Sequence, residues 1–176
     1  MSKIIGLIGG LSYVSSIEYY RNINEGVNKI HGESNSAECI LYSLNYQQLA
    51  TTGLLNSYDI LLKASETLKA SGVSAIAICS NTPHVHVNQL SKDTNIPFIN
   101  IIIETGKAIS CQKIKKVGLI GTKYTMELDF FKAGLEELNI KTIVPSKQAY
   151  RNYIDVTIQK ELSRGIFKMR TKTTYL

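Results

Sequence analysis

The run Ser80-Asn81-Thr82-Pro83-His84 gathers several chemically useful side chains directly behind the apolar segment Ile76-Ala77-Ile78-Cys79. A polar cluster that closes an apolar strand is a site candidate, because the strand packs while the loop at its end is free to carry function. Ser80 can act as a nucleophile or as an acid/base, and Asn81 and Thr82 bring donors suited to a carboxylate. No GxSxG surrounds Ser80, and no Ser, acid and His follow in the order a hydrolase uses, which argues against that chemistry. His84 and His86 are two positions apart and so fall on different faces of a helix. Each reads as a capping or core histidine, and neither as half of a metal pair. Cys39, Cys79 and Cys111 lack CxxC spacing and read as buried reduced thiols, not as a disulfide framework or a zinc site.

A second set of candidates comes from an internal repeat. Gly6-Leu7-Ile8-Gly9 returns as Gly118-Leu119-Ile120-Gly121, followed by Leu11, Ser12, Ser15 and Ser16 in the first case and by Thr122 and Thr125 in the second. Each is the pattern of a strand, a glycine turn and a helix start. Backbone N–H groups beside Gly9-Gly10 could approach a small anion, with Ser12 adding a hydroxyl. A tight turn with Ser12 and Thr122 as plain helix N-caps accounts for the same residues equally well. The dinucleotide fingerprint GxGxxG and the phosphate loop GxxxxGK[ST] are both missing, so nucleotide binding is not expected. At the spacing of the repeat, the counterpart of Ser80 falls beyond Leu176, and the second unit is therefore expected to be incomplete.

The elements that must position these loops alternate along the chain. Strands are expected at 3–8, 37–44, 73–79 and 97–102, then at 116–120 and 141–144. Helices are expected at 14–29, from Ser57 or Asp59 to about Ala70, at 85–91 and 104–110, then at 126–138 and 149–167. The strands are continuously apolar instead of alternating in and out, which points to parallel sheets covered by helices on both faces. Ligands of such sheets bind at the carboxyl ends of the strands, where all of the candidate loops lie. The fold class expected is α/β, with two pseudo-symmetric parallel-sheet domains, 1–110 and 111–176, whose loops would face one shared cleft.

Composition narrows the function classes. In 176 residues, 44% are hydrophobic, which suffices for a packed core in one domain or two small ones. No apolar run approaches the roughly 18 residues needed to cross a membrane, and the start is too short and glycine-rich for a signal peptide, so a cytoplasmic protein with no membrane partner is expected. The net charge is +6. Much of it comes from Lys160, Arg164, Lys168, Arg170 and Lys172, a cluster that reads as a solvated helix face; no basic stripe interleaved with aromatics suggests a nucleic-acid partner.

At three separate places the sequence resembles the aspartate/glutamate racemase family, the cofactor-independent amino-acid racemases. They are Gly9-Gly10-Leu11-Ser12 followed by Glu18-Tyr19-Tyr20-Arg21-Asn22-Ile23-Asn24, then Cys79-Ser80-Asn81-Thr82-Pro83-His84, then Gly121-Thr122-Lys123-Tyr124-Thr125-Met126-Glu127-Leu128-Asp129-Phe130. The last run looks most like the branch with broad or acidic amino-acid specificity. The resemblance implies two α/β domains around one site, commonly a homodimer, and interconversion of L- and D-aspartate- or glutamate-type substrates by two-base proton exchange at Cα, with neither PLP nor metal. It implies Ser80 as the acid/base on one face, Asn81, Thr82, Thr122 and Thr125 as holders of the substrate carboxylate, and Leu11 and Ser12 lining the loop over it.

Two departures shape the expectation. Most members place a Cys directly before Asn-Thr, where this chain has Ser80, and a hydroxyl is a far poorer base than a thiolate. Cys79, one residue earlier, would face the other side of the strand. Members also continue into a further strand with a Gly-Cys-Thr-Glu motif that carries the second acid/base, so slow or one-sided exchange is expected of these residues, with apolar faces left bare. Two other readings stay open: a non-catalytic remnant that binds small carboxylates, and a related decarboxylase or isomerase that needs a single acid/base. The loop Asn45-Tyr46-Gln47-Gln48 offers no cation for a second carboxylate.

Overall fold

The computed structural model describes residues 3–175 and divides into two compact units, 1–100 and 101–176. In the first unit the order is β1 (Ile5–Gly9), α1 (Tyr13–His31), β2 (Cys39–Ser43), α2 (Tyr46–Thr52), α3 (Tyr58–Ala70), β3 (Ala75–Ile78), α4 (Val87–Thr94) and β4 (Phe98–Ile99). The four strands form one parallel sheet in the order β2-β1-β3-β4, with Ile5 opposite both Cys39 and Ala75.

Period-two alternation sorts this sheet's side chains into two layers. Ile8, Ile76 and Ile78 pack with Leu61 and Leu68 of α3 and Leu90 of α4 in the main core. Leu7, Ala77 and Cys79 point the other way, against Tyr19 and Ile23 of α1. Helices therefore cover both faces, as the apolar strand pattern requires. Leu7 and Ile8 are completely buried, which is the condition under which a strand reads as an uninterrupted apolar run.

The second unit contains α5 (Ile101–Cys111), β5 (Lys116–Gly118), α6 (Lys123–Glu127), α7 (Asp129–Glu136), β6 (Lys141–Ile143), α8 (Gln148–Lys160) and α9 (Met169–Tyr175). Its two strands pair in parallel, Val117 opposite Thr142. Ile102, Leu119, Phe131, Leu135 and Ile140 form its core.

Several expected boundaries move. The run from Pro97 to Ile102 is not one strand: β4 stops at Ile99, and Ile101 opens α5. That helix belongs to the second unit, so the division lies at 100/101 and not at 110/111. Packing explains the shift. A Cβ at Gly106 of α5 would lie 2.3 Å from Leu138 Cδ1, and one at Gly134 of α7 would lie 2.7 Å from Ile102 Cγ2, so the glycines let these two helices approach closely. The helix expected over 126–138 is broken at Leu128, whose extended backbone (φ −77°, ψ 159°) separates α6 from α7. The one expected over 149–167 ends at Lys160, and a short 3-10 turn and Gly165 precede α9. α2 occupies a stretch read as loop. Cys111 is exposed, contrary to the expectation of a buried thiol, whereas Cys79 is buried and Cys39 half-buried.

The basic residues Lys160, Arg164, Lys168, Arg170 and Lys172 are all exposed, as a solvated face requires. Exposed Ile120, Phe167 and Met169 line an apolar cleft of about 520 Å³ within the second unit. Among the described residues no helix is long and apolar enough to cross a membrane, and no group of three or more His, Cys, Asp or Glu is placed to hold a metal ion.

Candidate functional site

Because β1 lies between β2 and β3, the loops leaving these three strands emerge side by side at one end of the sheet. The Leu44 N–H donates to the Gly9 carbonyl at 2.9 Å, and the Cys79 N–H to the Ile8 carbonyl at 2.9 Å, extending the strand pairing to the edge of the loops. Leu11, Ser12, Ser80, Asn81 and Thr82 are thus brought together in the first unit. Thr122 and Thr125 occupy the corresponding strand end of the second.

Close packing accounts for the glycines of the Gly9-Gly10 turn. Gly10 has φ +83°, and a Cβ there would lie 2.1 Å from the Leu44 carbonyl oxygen. Its N–H donates to Ser16 Oγ at 3.0 Å and is therefore already used. Ser12 is the N-cap of α1, its hydroxyl accepting from the Ser15 N–H. Leu11 is buried in the main core with Leu44 and Leu49, so its side chain anchors the loop instead of lining a ligand surface.

Ser80 is half-buried and Asn81 exposed, while Thr82, Pro83 and His84 are buried. Pro83 fits the first turn of the short 3-10 helix that they begin. The Ser80 hydroxyl makes no hydrogen bond to another described residue. Among the described residues no base bonds to it: the His84 ring reaches the Ser80 backbone instead, with Nδ1–H donating to the Ser80 carbonyl at 2.8 Å, a direction fixed because a carbonyl can only accept. His84 is therefore a core histidine that holds the loop. Burial lowers its pKa from the ordinary 6.5, opposed by the backbone carbonyls of Ser80, Asn81 and Ile99.

This shift has a defined consequence for stability. The unfolded chain takes up a proton on His84 near the ordinary value, whereas the folded chain resists it, so stability is greatest above that pH and declines as the pH drops below it. His84→Gln should flatten the fall in the urea midpoint between pH 7.5 and 5.5. A slope as steep as in the parent would show that His84 is not responsible. His86, also lowered by burial, supplies the remainder.

Cys79 is no substitute for the missing thiol at position 80. It is 1% exposed, and burial pushes its thiol up to about 12. Tyr19, on the same side of the sheet, is likewise raised to about 12, first by burial and then by Cys79. A thiol that keeps its proton at physiological pH is neither base nor nucleophile.

In the second unit the hydroxyl of Thr122 caps α6, accepting from the Thr125 N–H at 3.4 Å and lying 3.1 Å from Thr125 Oγ1. Thr125 is buried and Thr122 half-buried. Asp155 of α8 completes the arrangement, its Oδ1 accepting from the Lys123 N–H at 2.8 Å. Nothing in the local sequence marks Asp155, which lies far along the chain from its partner. Of the seven candidates, then, Ser12, Ser80, Asn81 and Thr122 present accessible side chains, while Leu11, Thr82 and Thr125 support them from beneath.

The chain is similar to several known proteins. The broad specificity amino-acid racemase RacX of Bacillus subtilis is 26% identical over 131 residues, a match covering 70% of this chain but only 56% of RacX. The structure of an Asp/Glu racemase-family protein from Yersinia pestis superposes with a TM-score of 0.86 at 34% identity, over 98% of this chain and 77% of that one. An aspartate racemase homologue from Pyrococcus horikoshii gives 0.81 at 30% identity, over 98% and 76% respectively. The model of the Asp/Glu/Hydantoin racemase family matches residues 8–172, and the chain belongs to that family.

Proposed function

We propose that the chain acts on the Cα proton of an acidic amino acid, as an amino-acid racemase of the aspartate/glutamate type, with Ser80 as the group that exchanges the proton on one face. The observation that carries this reading is the placement of a half-buried Ser80, whose hydroxyl bonds to no other described residue, beside Ser12 and Asn81 at the carboxyl end of a parallel sheet. Ser12 and Asn81 offer donors to the α-carboxylate, whose binding orients Cα toward Ser80. Thr122 offers a hydroxyl at the strand end of its own unit. The resemblance alone carries two further features, exchange without PLP or metal and a homodimer.

Deuterium incorporation at Cα of L-aspartate and L-glutamate in D2O, followed by NMR, tests the reading. The expected result is slow exchange, as a hydroxyl base allows, abolished by Ser80→Ala. Exchange that persists in the Ser80→Ala protein would remove Ser80 from the mechanism.

A second reading is favoured by one specific observation. Ser80 has no base among the described residues and the neighbouring thiol is held protonated, which suits a protein that binds a small carboxylate without turning it over. Saturable aspartate binding with no Cα exchange would select it.

A further inference from the structure

Ser80 is flanked by two peptide units, and a side chain holds the carbonyl of each. Ser15, in the first turn of α1, places its Oγ 2.8 Å from the Cys79 carbonyl oxygen and 2.9 Å from the Ser12 carbonyl oxygen, so its single proton is shared between the two strand-end loops. His84 Nδ1–H donates to the Ser80 carbonyl at 2.8 Å. The Cys79 carbonyl belongs to the peptide entering Ser80, and the Ser80 carbonyl to the peptide leaving it. Fixing both planes fixes φ and ψ at Ser80, and with them the direction of its Cα–Cβ bond.

We propose that Ser15 and His84 are positioning residues that together aim the side chain at position 80, acting through its two peptide planes and not by contact with a substrate. The inference rests on the reading of Ser80 as the proton-exchanging group, but its geometry stands apart from any activity. Ser15 is suited to the task by its place on a helix: α1 is anchored at its start by the Ser12 cap, with the Ser16 N–H and Ser16 Oγ also donating to the Ser12 carbonyl at 3.2 and 2.9 Å. The hydroxyl that reaches Cys79 is thus mounted on a rigid element. A reacting group displaced by about 1 Å loses on the order of 100-fold in rate, so a hydroxyl that touches nothing reactive can still control turnover.

The test needs a readout of orientation that survives a failure of the activity assay. Ser80→Cys supplies one, because alkylation of the new thiol by iodoacetamide reports its exposure and approach; peptide mapping separates it from Cys39 and Cys111, and fragmentation of the mapped peptide separates it from the adjacent, buried Cys79. In the Ser80→Cys background, Ser15→Ala is expected to change the alkylation rate at position 80 at least about fivefold with the urea midpoint nearly unchanged, and Ser15→Thr, which keeps a hydroxyl on the same bond, is expected to restore it. His84→Leu, which has no side-chain donor for the Ser80 carbonyl, should change it in the same way. In the otherwise native chain, Ser15→Ala should lower the rate of Cα exchange about tenfold with little change in the aspartate concentration giving half-maximal rate. An alkylation rate identical in all of these proteins would overturn the proposal. An altered rate in a chain with no Cα exchange at all would uphold the positioning role and refute the reading of the site as a racemase.

Discussion

Ser80→Cys should raise Cα–H exchange of aspartate or glutamate by about 100-fold or more over the parent chain at pH 8, the largest gain open to a single substitution here. The argument is one of proton affinity at a fixed place. A serine hydroxyl holds its proton throughout the physiological range, whereas a thiol of ordinary pKa, about 8.5, is substantially ionised at pH 8. Geometry permits the exchange of oxygen for sulfur: Ser80 is half-buried, and its hydroxyl is engaged by no other described residue. The adjacent Cys79 shows what the same atom does when the chain turns it inward, its thiol pushed up to about 12 by burial. The two positions differ in setting: Cys79 is buried among Leu7, Ala77 and Tyr19, whereas Ser80 is half-buried. Exchange should rise with pH along the ionisation curve of the new thiol, as measured independently by alkylation. If alkylation proceeds normally while exchange stays at the Ser80→Ala level, the substrate's Cα does not sit over position 80 and the proposed function fails.

How much of this was legible in the sequence depends on whether the cause was local. The central strands were, because β1 and β3 are buried on both faces and the only chemistry compatible with that is an apolar run such as Ile76-Ala77-Ile78-Cys79. The polar loop after β3 was, because Ser80-Asn81-Thr82 breaks that run abruptly. The end of β4 was not: Ile99 to Ile103 is a β-branched stretch interrupted only by Asn100, and its second half becomes helical because Ile102 is buried against Phe131 and Leu135, a tertiary effect that outweighs propensity. The Leu128 break in the predicted helix is similar, with no proline or glycine to announce it.

The site's supporting contacts were the least visible. Ser15 meets the Cys79 carbonyl across a separation of 64 positions, and Asp155 meets the Lys123 N–H across 32. No local pattern encodes such pairs. Leu11 was misread for the opposite reason: its neighbours in sequence are loop residues, but its neighbours in space are Leu44 and Leu49.

Gly10→Ala is expected to destabilise the first unit by about 3 kcal/mol or more, enough to populate unfolded chain in a small domain of ordinary stability. Two separate costs add. At φ +83° a Cβ carries the penalty of the left-handed region, roughly 1–2 kcal/mol. The new methyl would also stand 2.1 Å from the Leu44 carbonyl oxygen and 2.6 Å from the Leu44 nitrogen. These are backbone atoms at the end of β2, and that nitrogen is itself bonded to the Gly9 carbonyl at 2.9 Å, so the neighbour cannot move aside without breaking the pairing of β1 with β2. Gly72→Ala separates the two costs. Gly72 has a nearly identical φ of +81°, yet a Cβ there meets nothing within 4 Å. Its substitution should therefore cost only the conformational part, roughly 1–2 kcal/mol. The difference in urea midpoint between the two variants isolates the steric approach of the Gly9-Gly10 turn to β2. Equal midpoints would mean that the turn relaxes freely. A large difference would establish that close packing of the Gly9-Gly10 turn on the end of β2 holds the loop that leads to Ser12 and the start of α1.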